Sequence, residues 1–272
     1  MRKILLAIDA QNINSKTLDF ACYAAALTES KLTGVFLENV LFEEMSELAG
    51  ASSYSDEISV LEERKKKTED NISFFREACE KRGVQSNIHR KRGMPTDEMI
   101  EESRFADMII VDAEMSFKKK IESVPSGFVK DLLSEAECPV IISPESFDGI
   151  DEVIFTYNGS GSSVLAIKQF TYLFPEFNNK NITLLEVNKE NEMGLRSKPK
   201  ISEWLKTHYS EMDFKLLNGN PEEELFKYLL EKKNLLLVMG AYGRGTLSSM
   251  LKPSRAKLIV STTNFPVFIT HY

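Results

Sequence analysis

The feature that most constrains the fold of this chain is an internal duplication. The segment RGMPTDEMIEESRFADMIIVDAEM, residues 92 to 115, reads like NGNPEEELFKYLLEKKNLLLVMGAYG, residues 218 to 243. Each copy has a glycine, a proline two residues later, acidic residues that open an apolar helical pattern, and a short apolar run. From that run through the following loop the register is constant, so that Asp112 matches Gly240 and Ser126 matches Ser254, and after a one-residue slip Pro139 matches Pro266. The repeat predicts two copies of one arrangement of strands and helices.

Each half alternates between strand and helix patterns. Continuous apolar runs at residues 4 to 8 and 153 to 155 are typical of parallel strands that are buried on both faces. In the second half we expect further strands at residues 182 to 187, 214 to 217, 235 to 239 and 266 to 270, and helices around 203 to 209, at 221 to 232 and after Pro253. The alternation predicts an α/β fold with two repeated open parallel five-strand sheets and helices on both faces of each sheet.

The boundary between the halves is expected in the polar segment SPESFDG, residues 143 to 149, which contains proline and glycine. The predicted domains are therefore residues 1 to 147 and 151 to 272. The connecting segment is short, so we expect the two halves to associate as a pseudo-dimer within the chain. The unpaired edges of the last strands, at residues 139 to 142 and 266 to 270, need covering, and a homodimer of chains is a further possibility.

Composition excludes several classes of function. The formal net charge is −7 and the pI is near 5.3, so no global positive field favours nucleic acid or an anionic membrane. No apolar stretch is long enough to span a bilayer, and a cytoplasmic location is expected. The cysteines Cys22, Cys79 and Cys138 lack metal-ligand spacing with the histidines, which predicts reduced packing residues.

The loop VMGAYGRGTLSSMLKPS, residues 238 to 254, is the strongest candidate for a binding site. It follows a predicted buried strand and contains three glycines, an arginine, a lysine and four serine or threonine hydroxyls. In open α/β sheets, ligands bind beyond the carboxyl ends of the strands, and glycines there allow backbone N–H groups to approach a phosphate. The Gly-Lys-[Ser/Thr] triplet of a Walker loop does not occur in the chain, so the sequence implies neither tight phosphate binding nor Mg-assisted hydrolysis. Glycines also occur at strand ends for steric reasons alone. The alternative to a binding site is therefore a structural loop that binds no ligand.

The chain resembles tandem universal stress proteins. The resemblance is carried by the two α/β halves, by Asp9 at the end of the first strand, and by Gly240-x2-Gly243-x9-x-Ser254, which is set beside the family's ATP-binding pattern G-x2-G-x9-G-[ST]. It implies a Rossmann-like fold of the adenine nucleotide alpha hydrolase type and a stress-related role with bound ATP or AMP, with Mg²⁺ possible beside ATP. It also implies binding residues in the second half, namely Tyr157, Asn158, Gly159, Val187, Met239, Gly240, Gly243, Arg244, Gly245 and Ser254.

The match to the family pattern is incomplete. Pro253 stands where the third glycine of the pattern is expected and removes one backbone N–H. Asn158 replaces the aspartate at the end of the first strand of the second half. In the first half, Asp112 and Met115 occupy the positions of the first two glycines, which predicts a degenerate loop that repels phosphate and at most one nucleotide per chain.

Two functions from different classes remain open. One is a regulatory protein that binds an adenine nucleotide in its C-terminal half and signals by shape or assembly. The other is a scaffold without nucleotide that acts through protein contacts or dimerisation. An enzyme is not expected, since the residues around Ser160 lack the G-x-S-x-G spacing of a nucleophile turn, and no residue is identified that would orient water for a slow ATPase.

Overall fold

The fold was determined from a computed structural model of the chain, which describes residues 2–39, 54–118, 120–188, 198–240 and 265–270. By its internal contacts the chain divides into two compact units, Met1–Cys138 and Pro139–Tyr272. Strands and helices alternate through both units, which confirms the predicted α/β class. The predicted domain limits at residues 147 and 151 stay a prediction.

The first unit contains a parallel sheet in the order β3-β2-β1-β4. Strands β1 and β2 are buried at nearly every position, which requires cover on both faces of the sheet. The helices α1 and α2 contact each other, and so do α3 and α4. The elements are β1 Lys3–Asp9, α1 Ser15–Leu27, β2 Lys31–Asn39, α2 Tyr54–Lys81, β3 Ser86–Gly93, α3 Pro95–Ser103, β4 Met108–Val111 and α4 Gly127–Glu135.

The second unit repeats this strand order and extends it, as β8-β7-β6-β9-β10-β5. Its strands are parallel except that β10 pairs antiparallel with β5, with Phe268 opposite Ile141. Strand β5 is the last strand of the first sequence repeat and belongs to this unit by its contacts. The elements are β5 Val140–Ile142, β6 Glu152–Thr156, α5 Gly161–Leu173, a 3₁₀ turn Pro175–Phe177, β7 Asn181–Asn188, α6 Lys198–Lys206, β8 Asp213–Asn218, α7 Pro221–Leu230, β9 Leu235–Gly240 and β10 Val267–Thr270.

One helix differs from the sequence prediction. Helix α6 covers Lys198–Lys206 instead of residues around 203 to 209. Its buried residues Ile201 and Leu205 lie one turn apart and set the face that packs inward. Tyr209 is also buried, but it lies in the turn after the helix, where its hydroxyl is 2.9 Å from the Thr171 hydroxyl. The helix predicted after Pro253 lies outside the described residues.

The cysteines are packing residues, as expected from the sequence. All three are free thiols in buried positions. The Cys22 and Cys79 sulfurs lie 4.0 Å apart, which the sequence spacing did not indicate. Hydrogen bonding to Cys79 and burial raise the pKa of Cys22, and burial raises the pKa of Cys138 to about 12. The same hydrogen bond lowers the pKa of Cys79. The neutral thiols of Cys22 and Cys138 are weak nucleophiles and weak metal ligands, and the burial of all three cysteines places them in the core.

Candidate functional site

The candidate site of the second unit lies where β6 and β9 end side by side. The two strands are parallel neighbours, and the Thr156 hydroxyl at the end of β6 donates a hydrogen bond of 3.2 Å to the Val238 carbonyl of β9. Tyr157 extends the line of β6, because its backbone N–H donates to the Leu185 carbonyl at 2.8 Å, and its side chain is buried. This edge is the switch point of the sheet, where open α/β folds bind their ligands.

The turn from β6 into α5 places backbone donors at this edge. Asn158 is exposed, and its side-chain oxygen accepts a hydrogen bond of 3.1 Å from the Ser160 N–H. Gly159 has a φ of +76°, a conformation that favours glycine. Ser160 is the N-cap of α5, and its hydroxyl accepts a hydrogen bond of 3.2 Å from the Ser163 N–H. The first N–H groups of a helix have no acceptor within the helix, so the N-terminus of α5 is a source of donors and of positive potential.

Gly240 fits this edge because it has no side chain. It is the last residue of β9 and is buried. A Cβ at this position would lie 2.4 Å from the Ser162 carbonyl carbon, 2.5 Å from its oxygen and 2.6 Å from the Ser163 nitrogen. All three are backbone atoms in the first turn of α5, so the glycine lets this helix begin directly against the end of β9.

The other predicted site residues fall into two groups. Val187 on β7 and Met239 on β9 are partly exposed and occupy the penultimate positions of their strands, at the same carboxyl edge as Asn158. Gly243, Arg244, Gly245 and Ser254 lie outside the described residues, as does Pro253. The structure therefore brings together the six predicted residues it describes along one edge of the sheet: Tyr157, Asn158, Gly159, Val187, Met239 and Gly240.

Three buried polar residues near this edge were missed by the sequence analysis. Glu186 and Asn188 alternate with Val187 on β7, and Thr270 pairs in register with Gly240; all three are at most 6% exposed. Within the described part of the chain, neither the Asn188 amide nitrogen nor the Thr270 hydroxyl has a hydrogen-bond partner. Buried polar atoms usually have one. The available signal was the run Glu-Val-Asn, in which two polar residues follow Ile182 and Leu184 on one face of the strand.

The matching edge of the first unit holds a cavity of about 490 Å³ with an acidic lining. Asp9, Asp112 and Glu114 line it, and the described residues of its lining include no lysine, arginine or histidine. Burial raises the pKa of Asp9, partly opposed by the Gln11 backbone N–H, which donates to its carboxylate at 2.9 Å. Such a cavity opposes a phosphate because the like charges repel.

In the matching loop of the first unit, the polar side chains already form hydrogen bonds within the protein. Asp112 accepts hydrogen bonds of 2.6 Å from the Asn14 side-chain amide and 3.0 Å from the Glu114 backbone N–H. Asn14 is the N-cap of α1, so a carboxylate lies beside the N-terminus of that helix. Ser126 donates from its hydroxyl to the Met115 carbonyl and accepts at 3.2 Å from the Val129 N–H as N-cap of α4. The hydroxyl that matches Ser254 is thus already engaged.

Over the described residues, no group of three or more His, Cys, Asp or Glu side chains could hold a metal ion. The helices in the described ranges are all too short or too polar to cross a membrane.

Comparison with known proteins agrees with this architecture. No protein-family model matches the chain. A curated universal stress protein, Slr1230 from Synechocystis sp. (strain ATCC 27184 / PCC 6803 / Kazusa), is 20% identical over 286 residues, which covers 98% of this chain and 99% of that protein.

Two solved structures have the same fold over nearly the whole chain. The structure of a universal stress protein from Archaeoglobus fulgidus DSM 4304 matches with a TM-score of 0.71 and 16% identity over 99% of this chain and 98% of the other. A putative universal stress protein from Pseudomonas aeruginosa UCBPP-PA14 matches with a TM-score of 0.58 and 13% identity over 99% and 93% of the two chains. These matches confirm the resemblance to tandem universal stress proteins and the fold that it implies.

Proposed function

We propose that this chain is a stress-related regulatory protein of the cytoplasm that binds one adenine nucleotide, ATP or AMP, in its second half. Binding would change the shape or assembly of the protein, and no residue is assigned a catalytic role. The proposal is supported by similarity to universal stress proteins over the full chain and by the six predicted site residues at one carboxyl edge. Fold alone leaves the ligand open, so the argument depends on the site.

The observation that carries the proposal is the difference between Asp112 and Gly240. In the first unit, the Asp112 carboxylate supplies a negative charge beside the N-cap residue of α1. In the second unit, the matching residue is Gly240, which supplies no side chain, and α5 begins directly against it. Helix N-termini favour anions, each interaction stabilising by about 0.3–1 kcal/mol when exposed. A nucleotide phosphate would provide at α5 the charge that Asp112 provides at α1.

The surrounding residues fit a nucleoside. The Asn158 side-chain amide can donate to a ring nitrogen or a ribose hydroxyl, and Val187 and Met239 offer partly exposed apolar surface to a base. The Asn188 amide and the Thr270 hydroxyl are buried polar groups near the same edge. Arg244 would balance the charge of the phosphates. Mg²⁺ would enter with ATP on the phosphate oxygens, because this ion usually keeps several waters and binds through substrate phosphates.

The repeats would also associate through their last strands. The antiparallel pairing of β5 with β10 joins the strand that ends the first sequence repeat to the strand that ends the second. This pairing covers edges that would otherwise be open to other strands. It supports the expected pseudo-dimer within the chain.

The experiment is isothermal titration of the full chain with ATP and with AMP, using a matched pair of variants. Gly243→Val adds a branched side chain in the predicted phosphate loop, and Met115→Val changes the matching position of the first half. We expect one site per chain, loss of binding in Gly243→Val and wild-type affinity in Met115→Val. Two equivalent sites would contradict the asymmetry. If neither nucleotide gives a heat of binding or raises the melting temperature, the nucleotide proposal is rejected and the scaffold function is favoured.

A further inference from the structure

Strand β8 forms an open edge of the second unit. It ends the strand order and, within the ranges that the structure describes, pairs only with β7. One side of an edge strand presents unpaired backbone N–H and C=O groups that can pair with another strand. Proteins usually protect such edges with charged side chains or bulges.

The matching edge strand of the first unit is protected in this way. Strand β3 contains His89, Arg90, Lys91 and Arg92 in succession. Arg90 is held by ion pairs with Glu38 at 3.0 Å and with Glu69 at 2.6 Å. A second strand that approached β3 would have to accommodate these charges, so this edge disfavours pairing.

Strand β8 has the opposite character. Phe214 and Leu216 are 38% and 44% exposed, and Met212, just before the strand, is partly exposed. Because side chains alternate along a strand, these three residues form an apolar row on one face. The Lys198 ammonium lies over the Phe214 ring, 5.1 Å from its centre.

The sequence of β8 is complementary to itself in antiparallel pairing. If two copies pair about Phe214, each Asp213 lies opposite Lys215 of the second copy, and the two Phe214 rings face each other. In the same register each Leu216 lies opposite Met212 of the second copy. Oppositely charged and apolar cross-strand pairs both stabilise a sheet. Every side chain from Met212 to Leu216 therefore meets a favourable partner in this register.

We propose that β8 is a self-association surface, through which two copies of the chain pair antiparallel about a two-fold axis at Phe214. A second copy is the partner that the sequence itself supplies, because antiparallel pairing about Phe214 places each Asp213 opposite a Lys215. The proposed pairing uses a different strand from the β5–β10 pairing. The strand is short, so the association is weak and depends on concentration.

Charge exchange tests the register by sedimentation velocity over a concentration series at low salt. Lys215→Asp places two aspartates opposite two aspartates, and Asp213→Lys places lysines opposite lysines. We expect each variant alone to sediment at a lower mean mass than wild type, and an equimolar mixture to regain the wild-type value, because each aspartate of one variant then meets a lysine of the other. Variants that behave like wild type, or a mixture that behaves like its components, would overturn the proposal.

Cysteine cross-linking gives a second measurement that does not depend on these charges. Phe214→Cys places a thiol on the proposed axis, and Tyr172→Cys, at a position 60% exposed on α5, is the control for random collision. With diamide as oxidant, we expect a covalent dimer of Phe214→Cys to form much faster than one of Tyr172→Cys. Equal rates would refute the pairing. Far-UV circular dichroism of all variants checks that the fold is unchanged.

Discussion

Replacing Gly240 with alanine tests whether this glycine is required by packing as well as by a ligand. The new methyl carbon would lie 2.4 to 2.6 Å from three backbone atoms of Ser162 and Ser163. Non-bonded carbon contacts are most favourable at about 3.5–4.0 Å, so the overlap is roughly 1 Å. It cannot be relieved by rotating a side chain, because the opposing atoms are the backbone of the first turn of α5.

The expected cost follows from this geometry. Overpacking of a core costs about 1–3 kcal/mol, and rigid backbone contacts place Gly240→Ala at the upper end of that range. Reduced freedom of the unfolded chain returns about 0.4–1 kcal/mol. We therefore expect the free energy of unfolding to fall by about 2 kcal/mol.

Urea unfolding followed by tryptophan fluorescence measures this loss of stability in the second structural unit, which contains Gly240. The chain has one tryptophan, Trp204, on α6 of the second unit. The matched control is Gly161→Ala in the first turn of the same helix, where an added Cβ meets nothing within 4 Å. Alanine there should be neutral or stabilise by about 0.5–1 kcal/mol.

Two results would refute the reasoning. If Gly240→Ala unfolds at the wild-type urea concentration, the contact with α5 is not rigid. If Gly161→Ala loses as much stability as Gly240→Ala, the effect belongs to helix α5 in general. A loss of nucleotide affinity in Gly240→Ala without a loss of stability would assign the glycine to ligand contact alone.

Three further substitutions have defined outcomes. Ser254→Ala should lose about 0.5–1.5 kcal/mol of nucleotide binding, the value of one hydrogen bond, and an unchanged dissociation constant in calorimetry would remove this residue from the site. Burial alone would raise the pKa of Glu102, but the hydrogen bond with His89 at 2.9 Å and the Lys91 charge lower the pKa overall. The ionised Glu102 therefore stabilises the fold above the ordinary pKa of 4.5, and this stabilisation is lost as the pH falls through the lowered pKa of the folded state. Glu102→Gln should therefore lower the free energy of unfolding in urea at pH 7 by roughly 1 kcal/mol and match wild type near pH 3, and equal deficits at both pH values would exclude an electrostatic cause. Asp9 has the opposite sign, since burial raises its pKa and the cost of ionising it appears as the pH rises above 3.8. Asp9→Asn should thus raise the melting temperature at neutral pH and leave it unchanged near pH 3, and a variant less stable than wild type at pH 7 would contradict this.

Much of the fold was predictable because the strands and helices follow from the local spacing of apolar residues. The apolar runs at residues 4 to 8 and 153 to 155 lie within β1 and β6, as predicted. The duplication predicted the repeated strand order, and Asp112 in place of Gly240 predicted an unsuitable phosphate loop in the first half. These features depend on residues within a few positions of one another, which a sequence displays directly.

The remaining features depend on contacts between distant residues, which only the tertiary structure decides. The sequence predicted Gly240 as a ligand-binding residue. Its close approach to Ser162 depends on the packing of β9 against α5, which only the tertiary structure shows. The hydrogen bond from Asn14 to Asp112 likewise joins two residues that are 98 positions apart in the sequence. The exposure of Phe214 depends on β8 ending the sheet, and strand order is set by the packing of the whole sheet. Periodicity specifies which face of an element is apolar, but the neighbour that covers that face is selected by the free energy of the complete core.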